Sequence, residues 1–234
     1  MQPGLLTRYL HIVGVGASAG GLEAMGELFS KLLPSGRVAY VIAQHMAKDG
    51  HSELVARMLN KQSPLPVVEA TGGDLLEPDK VYLMPSGYDG EVKNGRIYLL
   101  PPAPEHLSTP SVNFLFASIA GEYGKRSIGI ILSGAGSDGA AGCRAIKTGG
   151  GRTIVQTPQS AQYSGMPLAV MKAGAADAEL DIAGIVQYLT GLVPPSPSVR
   201  AAVLQPAASA SPAPLNPYLT TLLQRVFDAT GVDF

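Results

Sequence analysis

The chain has 234 residues, 46% of them hydrophobic and 15% charged, and a formal net charge of −1. That length suits one α/β domain with a short appendage. The near-neutral balance, with no Lys/Arg stripe and no Trp, argues against nucleic acid as a partner. No apolar run approaches the ~20 residues that cross a bilayer, so no membrane insertion is expected. The single cysteine, Cys143, excludes an intrachain disulfide and a Cys-rich zinc site. Its setting, Gly142-Cys143-Arg144-Ala145-Ile146, reads as a buried thiol on the apolar face of a helix.

Strands and helices alternate from the start. Arg8, an apolar run and Ala17-Ser18-Ala19 imitate a secretory leader. The run is rich in glycine and β-branched residues and contains His11, so His11–Val15 reads instead as a buried strand and the expected location is cytoplasmic. Leu22, Met25, Leu28, Phe29 and Leu32 fall at helical spacing, ended by Pro34. Val38–Ala43 predicts a second buried strand, and Leu54, Val55, Met58 and Leu59 a second helix. Lys80–Met84 reads as a strand. Glu91–Tyr98 reads as a hairpin around Asn94-Gly95, placed as an antiparallel addition at one sheet edge. Val112, Leu115, Phe116 and Ile119 mark a helix, Ile128–Leu132 a strand, Ala140–Lys147 a helix and Thr153–Gln156 a strand. Helices follow over about Pro167–Lys172 and Ile182–Leu192. The alternation predicts an α/β fold, a doubly wound and mostly parallel sheet with helices on both faces.

From residue 194 to 217 the chain is dominated by Pro, Ala and Ser, the composition of a linker. Leu219, Leu222, Leu223, Val226 and Phe227 beyond it share one helical stripe, stopped by Gly231. The expected organisation is a catalytic domain over 1–193, a linker over 194–217 and, over 218–234, an amphipathic helix opening a second, truncated domain.

In a doubly wound sheet ligands bind beyond the carboxyl ends of the strands, and three segments fall there. Gly16-Ala17-Ser18-Ala19-Gly20 fits G-x-S-x-G, a tight strand-to-helix turn that exposes a serine hydroxyl near free helix N–H groups. Gly14, Gly16 and Ala19 also fit the dinucleotide fingerprint, which calls for an acid at the end of the second strand. That strand ends Ala43-Gln44-His45-Met46, with a histidine in its place. His45 is either a packed or surface residue or the base for the Ser18 hydroxyl. Asp138, in Leu132-Ser133-Gly134-Ala135-Gly136-Ser137-Asp138-Gly139-Ala140, either caps the helix that follows or orients His45. The order Ser, His, Asp differs from that of the α/β-hydrolases. A metal site from His45, Asp49 and His51 lacks further ligands at suitable spacing.

Three longer runs, Ile12–Gly21, Val41–Met46 and Ile131–Gly142, resemble the catalytic domain of the chemotaxis protein-glutamate methylesterases, the CheB family. Gly150–Gln156, Tyr163–Pro167 and Pro110–Asn113 extend the likeness, which runs from about Tyr9 to Leu192. The resemblance implies a catalytic triad of Ser18, His45 and Asp138. It also implies hydrolysis of γ-glutamyl methyl esters, with deamidation of glutamine, on the cytoplasmic helices of chemoreceptors, and no cofactor. The partner so implied is a methylated chemoreceptor cytoplasmic domain. Leu219–Phe234 resembles the opening helix of the receptor methyltransferases, so a fused methyltransferase domain and a sensor kinase are further candidate partners. Three positions depart from the family pattern. Ala135 stands where the family usually carries Met, Ser137 where Asn is common, and Ala19 where Ser or Thr is common. Only about ten residues precede the first strand, so the family's receiver domain is not expected in this chain. A catalytically silent docking module and a nucleotide-binding domain are the competing readings.

Overall fold

The computed structural model describes residues 10–194 except 105 and 107. The linker from residue 195 and the C-terminal amphipathic helix lie outside the described residues.

Among the described residues there are nine strands and six α-helices. They are β1 (His11–Ala17), α1 (Gly21–Lys31), β2 (Val38–Gln44), α2 (Ser52–Gln62), β3 (Val67–Glu69), β4 (Val81–Leu83), β5 (Asp89–Lys93) and β6 (Arg96–Leu100). There follow α3 (Val112–Tyr123), β7 (Ser127–Ile131), α4 (Ala140–Thr148), β8 (Arg152–Gln156), α5 (Gly165–Lys172), β9 (Ala178–Leu180) and α6 (Ile182–Leu192). Seven strands form one sheet in the order β3-β4-β2-β1-β7-β8-β9, and every neighbouring pair is parallel. The chain winds outward from β1 through β2 to the edge strand β3, returns to insert β4 between β2 and β3, then crosses by way of α3 to β7 and winds outward the other way. The direction reverses between β1 and β7, so the crevice of a doubly wound sheet opens beyond the carboxyl ends of those two strands.

Both sheet faces are covered, as buried parallel strands require. On one face Val13, Val15, Tyr40, Ile42 and Ile130 pack against Met25, Leu28 and Phe29 of α1, Leu59 of α2 and Ile185 of α6. On the other, Ile12, Val41, Tyr82 and Val155 meet Leu115, Phe116 and Ile119 of α3, Ile146 of α4 and Val170 of α5. Burial of each such aliphatic or aromatic side chain contributes about 1.5–3 kcal/mol. Cys143 is fully buried on α4, as its sequence setting indicates, and burial pushes its thiol pKa up to about 12. It is therefore a packing group, inert as a nucleophile.

The hairpin differs from the sequence reading in its placement, whereas the helix expected from Leu54, Val55, Met58 and Leu59 is present as α2. The hairpin β5–β6 turns at Asn94 and Gly95, both at positive φ as a type I′ turn needs. It forms a separate two-stranded sheet. Val92 and Ile97 sink into the same core as Leu115 and Phe116, and the Val92 N–H donates to Ser118 Oγ of α3 at 2.9 Å. Burial of its apolar face on α3 holds the hairpin there, with no need of edge pairing. In α2 the buried face is Ser52, Ala56 and Leu59, leaving Leu54 and Met58 exposed. The latter two, four residues apart, form a neighbouring stripe rather than the core-facing one.

Close packing of α3 on β1 depends on glycine. A Cβ at Gly16 would lie 2.5 Å from Val112 Cγ1, at the first residue of α3. Valine has few rotamers with which to retreat. Gly16→Ala is expected to lower unfolding free energy by about 1–3 kcal/mol in a urea titration. A loss below about 0.5 kcal/mol, the scale of neutral surface changes, would show that this contact yields freely.

Candidate active site

Ser18 follows β1 directly, on a turn bonded on both sides. Its N–H donates to the Ser133 carbonyl beyond β7 at 3.0 Å. Ser133 Oγ in turn donates to the Ala19 carbonyl at 2.8 Å, and the Ser133 N–H is held by Gln156 Oε1 at 2.8 Å. On the other side Gln44, the last residue of β2, donates from Nε2 to the carbonyls of Ser18 (2.9 Å) and His45 (3.1 Å). The His45 N–H closes the connection to the Ala17 carbonyl at 2.9 Å. One buried glutamine thus clasps the backbones of Ser18 and His45 together. Gly20 completes the turn at φ 69°, where a Cβ would meet Gln162 Oε1 and Ser133 Oγ at 2.5 and 2.7 Å. The Ala19 and Gly20 N–H groups, at the start of α1, donate to nothing among the described residues. They are therefore free to face a developing oxyanion.

Asp138 lies after β7 and does not cap the helix that follows it. The N-cap of α4 is Gly139, which has no side chain to offer, and the first-turn N–H of Gly142 donates to Asn113 Oδ1 at 2.8 Å. The carboxylate instead faces the N-terminus of α3: Oδ2 accepts from Val112 N at 2.8 Å, and Oδ1 from Asn113 N and Gly139 N at 2.9 Å each. Its fourth bond joins Oδ2 to His45 Nε2 at 2.9 Å, with both side chains largely buried. Burial alone would raise the Asp138 pKa, but hydrogen bonds from His45, Asn113 and Val112 outweigh it, and the carboxyl sits below its ordinary value. With Asp138 ionised, the imidazole proton lies on Nε2 and Nδ1 carries the lone pair. Neither His45 Nδ1 nor Ser18 Oγ is committed to another group among the described residues. Ser18 and His45 line one cleft of about 720 Å³, together with Ala135.

The competing readings fare differently. In the glycine motif, a Cβ at Gly14 or Gly16 would strike Phe116 or Val112 of α3 at 2.6 or 2.5 Å. These glycines admit a helix, and no acid ends β2 to hold a ribose. His51 precedes α2 without capping it. Among the described residues no group of three or more His, Cys, Asp or Glu is placed to hold a metal ion.

Comparison with known proteins gives the family and the fold. A family model described as CheB methylesterase matches residues 13–189. The chain belongs to the CheB methylesterase family. It is 38% identical over 177 residues to the protein-glutamate methylesterase/protein-glutamine glutaminase of Trichodesmium erythraeum, covering 74% of this chain and 50% of that protein. The protein of the same description from Moorella thermoacetica is 38% identical over 192 residues, covering 79% of this chain and 44% of its own. The chain thus spans about half the length of the curated relatives it matches. The crystal structure of the Thermotoga maritima CheB methylesterase catalytic domain superposes with a TM-score of 0.74 at 30% identity, covering 79% of this chain and 99% of that one.

Within this CheB fold, of Ala135, Ser137 and Ala19 only Ala135 lines the cleft. Ala135 is exposed on its wall, and Ala19 is exposed beside Ser18. Ser137, also exposed, lines a smaller adjoining cavity with Asp138 and Asn113. The wall behind Ser18 is firmer, because a Cβ at Gly134 would meet buried Met166 Sδ at 2.2 Å and Ser18 Cβ at 3.0 Å. The sequence reading missed His106, which lines the same cleft and pairs through Nδ1 with buried Asp89. It also missed the clasp by Gln44. A lone histidine in a proline-rich segment and a glutamine ending a strand carry no periodic or spacing signal.

Proposed function

We propose that the chain is a serine hydrolase that removes methyl groups from glutamate γ-methyl esters on a protein, and that deamidates glutamine at such positions. The observation that carries this reading is the hydrogen bond between Asp138 and His45, with His45 and Ser18 lining one cleft. Asp138 holds the imidazole with Nδ1 as acceptor. Nδ1 takes the Ser18 proton as Oγ attacks the ester carbonyl, and the resulting oxyanion meets the free N–H groups of Ala19 and Gly20. Methanol leaves with the proton from His45, or ammonia when the substrate is an amide. Water deprotonated by the same imidazole then attacks the acyl-serine and releases glutamate.

The substrate is a methylated chemoreceptor cytoplasmic domain, and the site of action the cytoplasm. A fused methyltransferase domain and a sensor kinase are further partners consistent with the resemblance of Leu219–Phe234. Treatment with a fluorophosphonate is expected to place one adduct on the peptide containing Ser18, by mass spectrometry, with methanol release falling in proportion to labelling. An adduct elsewhere, or undiminished methanol release after complete labelling, overturns this reading.

A further inference from the structure

We propose that His106, oriented by Asp89, is a substrate-contacting residue that grips the peptide carrying the scissile group; this rests on the hydrolase reading above. Two imidazoles, each paired with a carboxylate behind it, line the cleft. The first, His45–Asp138, is described above. In the second, His106 Nδ1 pairs with Asp89 Oδ2, while Asp89 Oδ1 accepts from the Ser111 N–H at 2.7 Å. Asp89 is only 1% exposed.

A carboxylate that deep is costly unless its oxygens are partnered, and here they orient a ring and anchor the segment leading into α3. The ring is further fixed against Phe114, with centroids 5.6 Å apart at 48°. A buried ring nitrogen finds its partner in the protein or in ordered water. His106 satisfies one of its two. Its Nε2 has no partner among the described residues, and the side chain remains 19% exposed where it lines the cleft.

With the proton of a neutral ring turned to Asp89, Nε2 is a lone-pair acceptor. The complementary group is an N–H or O–H donor on the substrate peptide: a side-chain amide, a hydroxyl or a free backbone N–H. His45 is the imidazole joined to the Ser18 turn through the Ala17 carbonyl and Gln44. His106 comes from a separate segment, with Pro102, Ala103 and Thr109 beside it on the cleft wall. It is therefore placed to hold substrate rather than to move the serine proton.

The test separates binding from chemistry, using the full chain. For methylated receptor cytoplasmic fragment, His106→Phe, which keeps a ring against Phe114, is expected to raise KM at least about tenfold with kcat changed less than about threefold. His106→Gln, whose amide oxygen can stand in for Nε2, is expected to recover much of that loss. A second measurement needs no turnover: fragment binding to Ser18→Ala against Ser18→Ala/His106→Phe, with a rise in Kd of similar size. An unchanged Kd and KM would overturn the proposal. So would a fall in kcat together with the rate of fluorophosphonate labelling at constant KM, which would put His106 in the proton-transfer machinery. Methanol release that survives Ser18→Ala would sink the hydrolase reading alone, since the binding comparison would still judge His106.

Discussion

Ser18→Ala is expected to lower methanol release at least about 10⁴-fold and to abolish fluorophosphonate labelling, while leaving stability within about 0.5 kcal/mol of the parent chain. Without Oγ no acyl-enzyme can form, and only whatever the oxyanion donors and the bound geometry contribute to direct water attack remains. The stability expectation follows from the contacts. Ser18 itself bonds only through its backbone N–H and carbonyl, and its hydroxyl makes no bond among the described residues. A variant that retained more than about a tenth of the parent kcat would remove Ser18 from the role of nucleophile.

Asp138→Asn is expected to lower kcat by about 10⁴-fold, and unlike the serine change it should also weaken the fold. The carboxylate accepts from four donors: His45 Nε2 and the backbone N–H groups of Val112, Asn113 and Gly139. An amide in its place turns an NH₂ toward some of those donors. The imidazole then adopts the other tautomer, with its proton on the nitrogen that must receive the serine proton. The orphaned donors cost about 1–3 kcal/mol, read as a lower midpoint in urea. The pH dependence has a definite sign. Because the folded carboxyl sits below its ordinary value, it contributes stability above that value and loses it as pH falls through the folded one. The difference in stability between parent and Asp138→Asn should therefore narrow on the acid side of about 3.9 and be constant at neutral pH. A difference that widened with acid would contradict the hydrogen bonds assigned to Asp138.

Much of the architecture is legible in the residues themselves. Runs such as Val38–Ala43 and Ile128–Leu132 are continuous and apolar because both faces of a parallel sheet are buried, and they are strands in the structure. Asn94-Gly95 names its own turn. The three-residue strands β3 and β9 were not legible, since Val67–Glu69 and Ala178–Leu180 are too short to show a period and take their conformation from the neighbour they pair with.

The same division runs through the site. Local sequence by itself determined where chemistry could sit: glycines and small residues at strand ends, with a serine, a histidine and an aspartate in three of those turns. Tertiary structure alone decided what each group faces. Asp138 caps α3, more than twenty residues earlier in the chain, instead of its own helix. Gln44 and Gln156 spend their amides on the backbones of neighbouring loops, and Asp89 reaches from a hairpin to His106. The physical reason is that spacing along a chain reports burial and turn geometry, which are local. The partner of a polar side chain is set by where distant segments meet, and no periodicity within either segment records it.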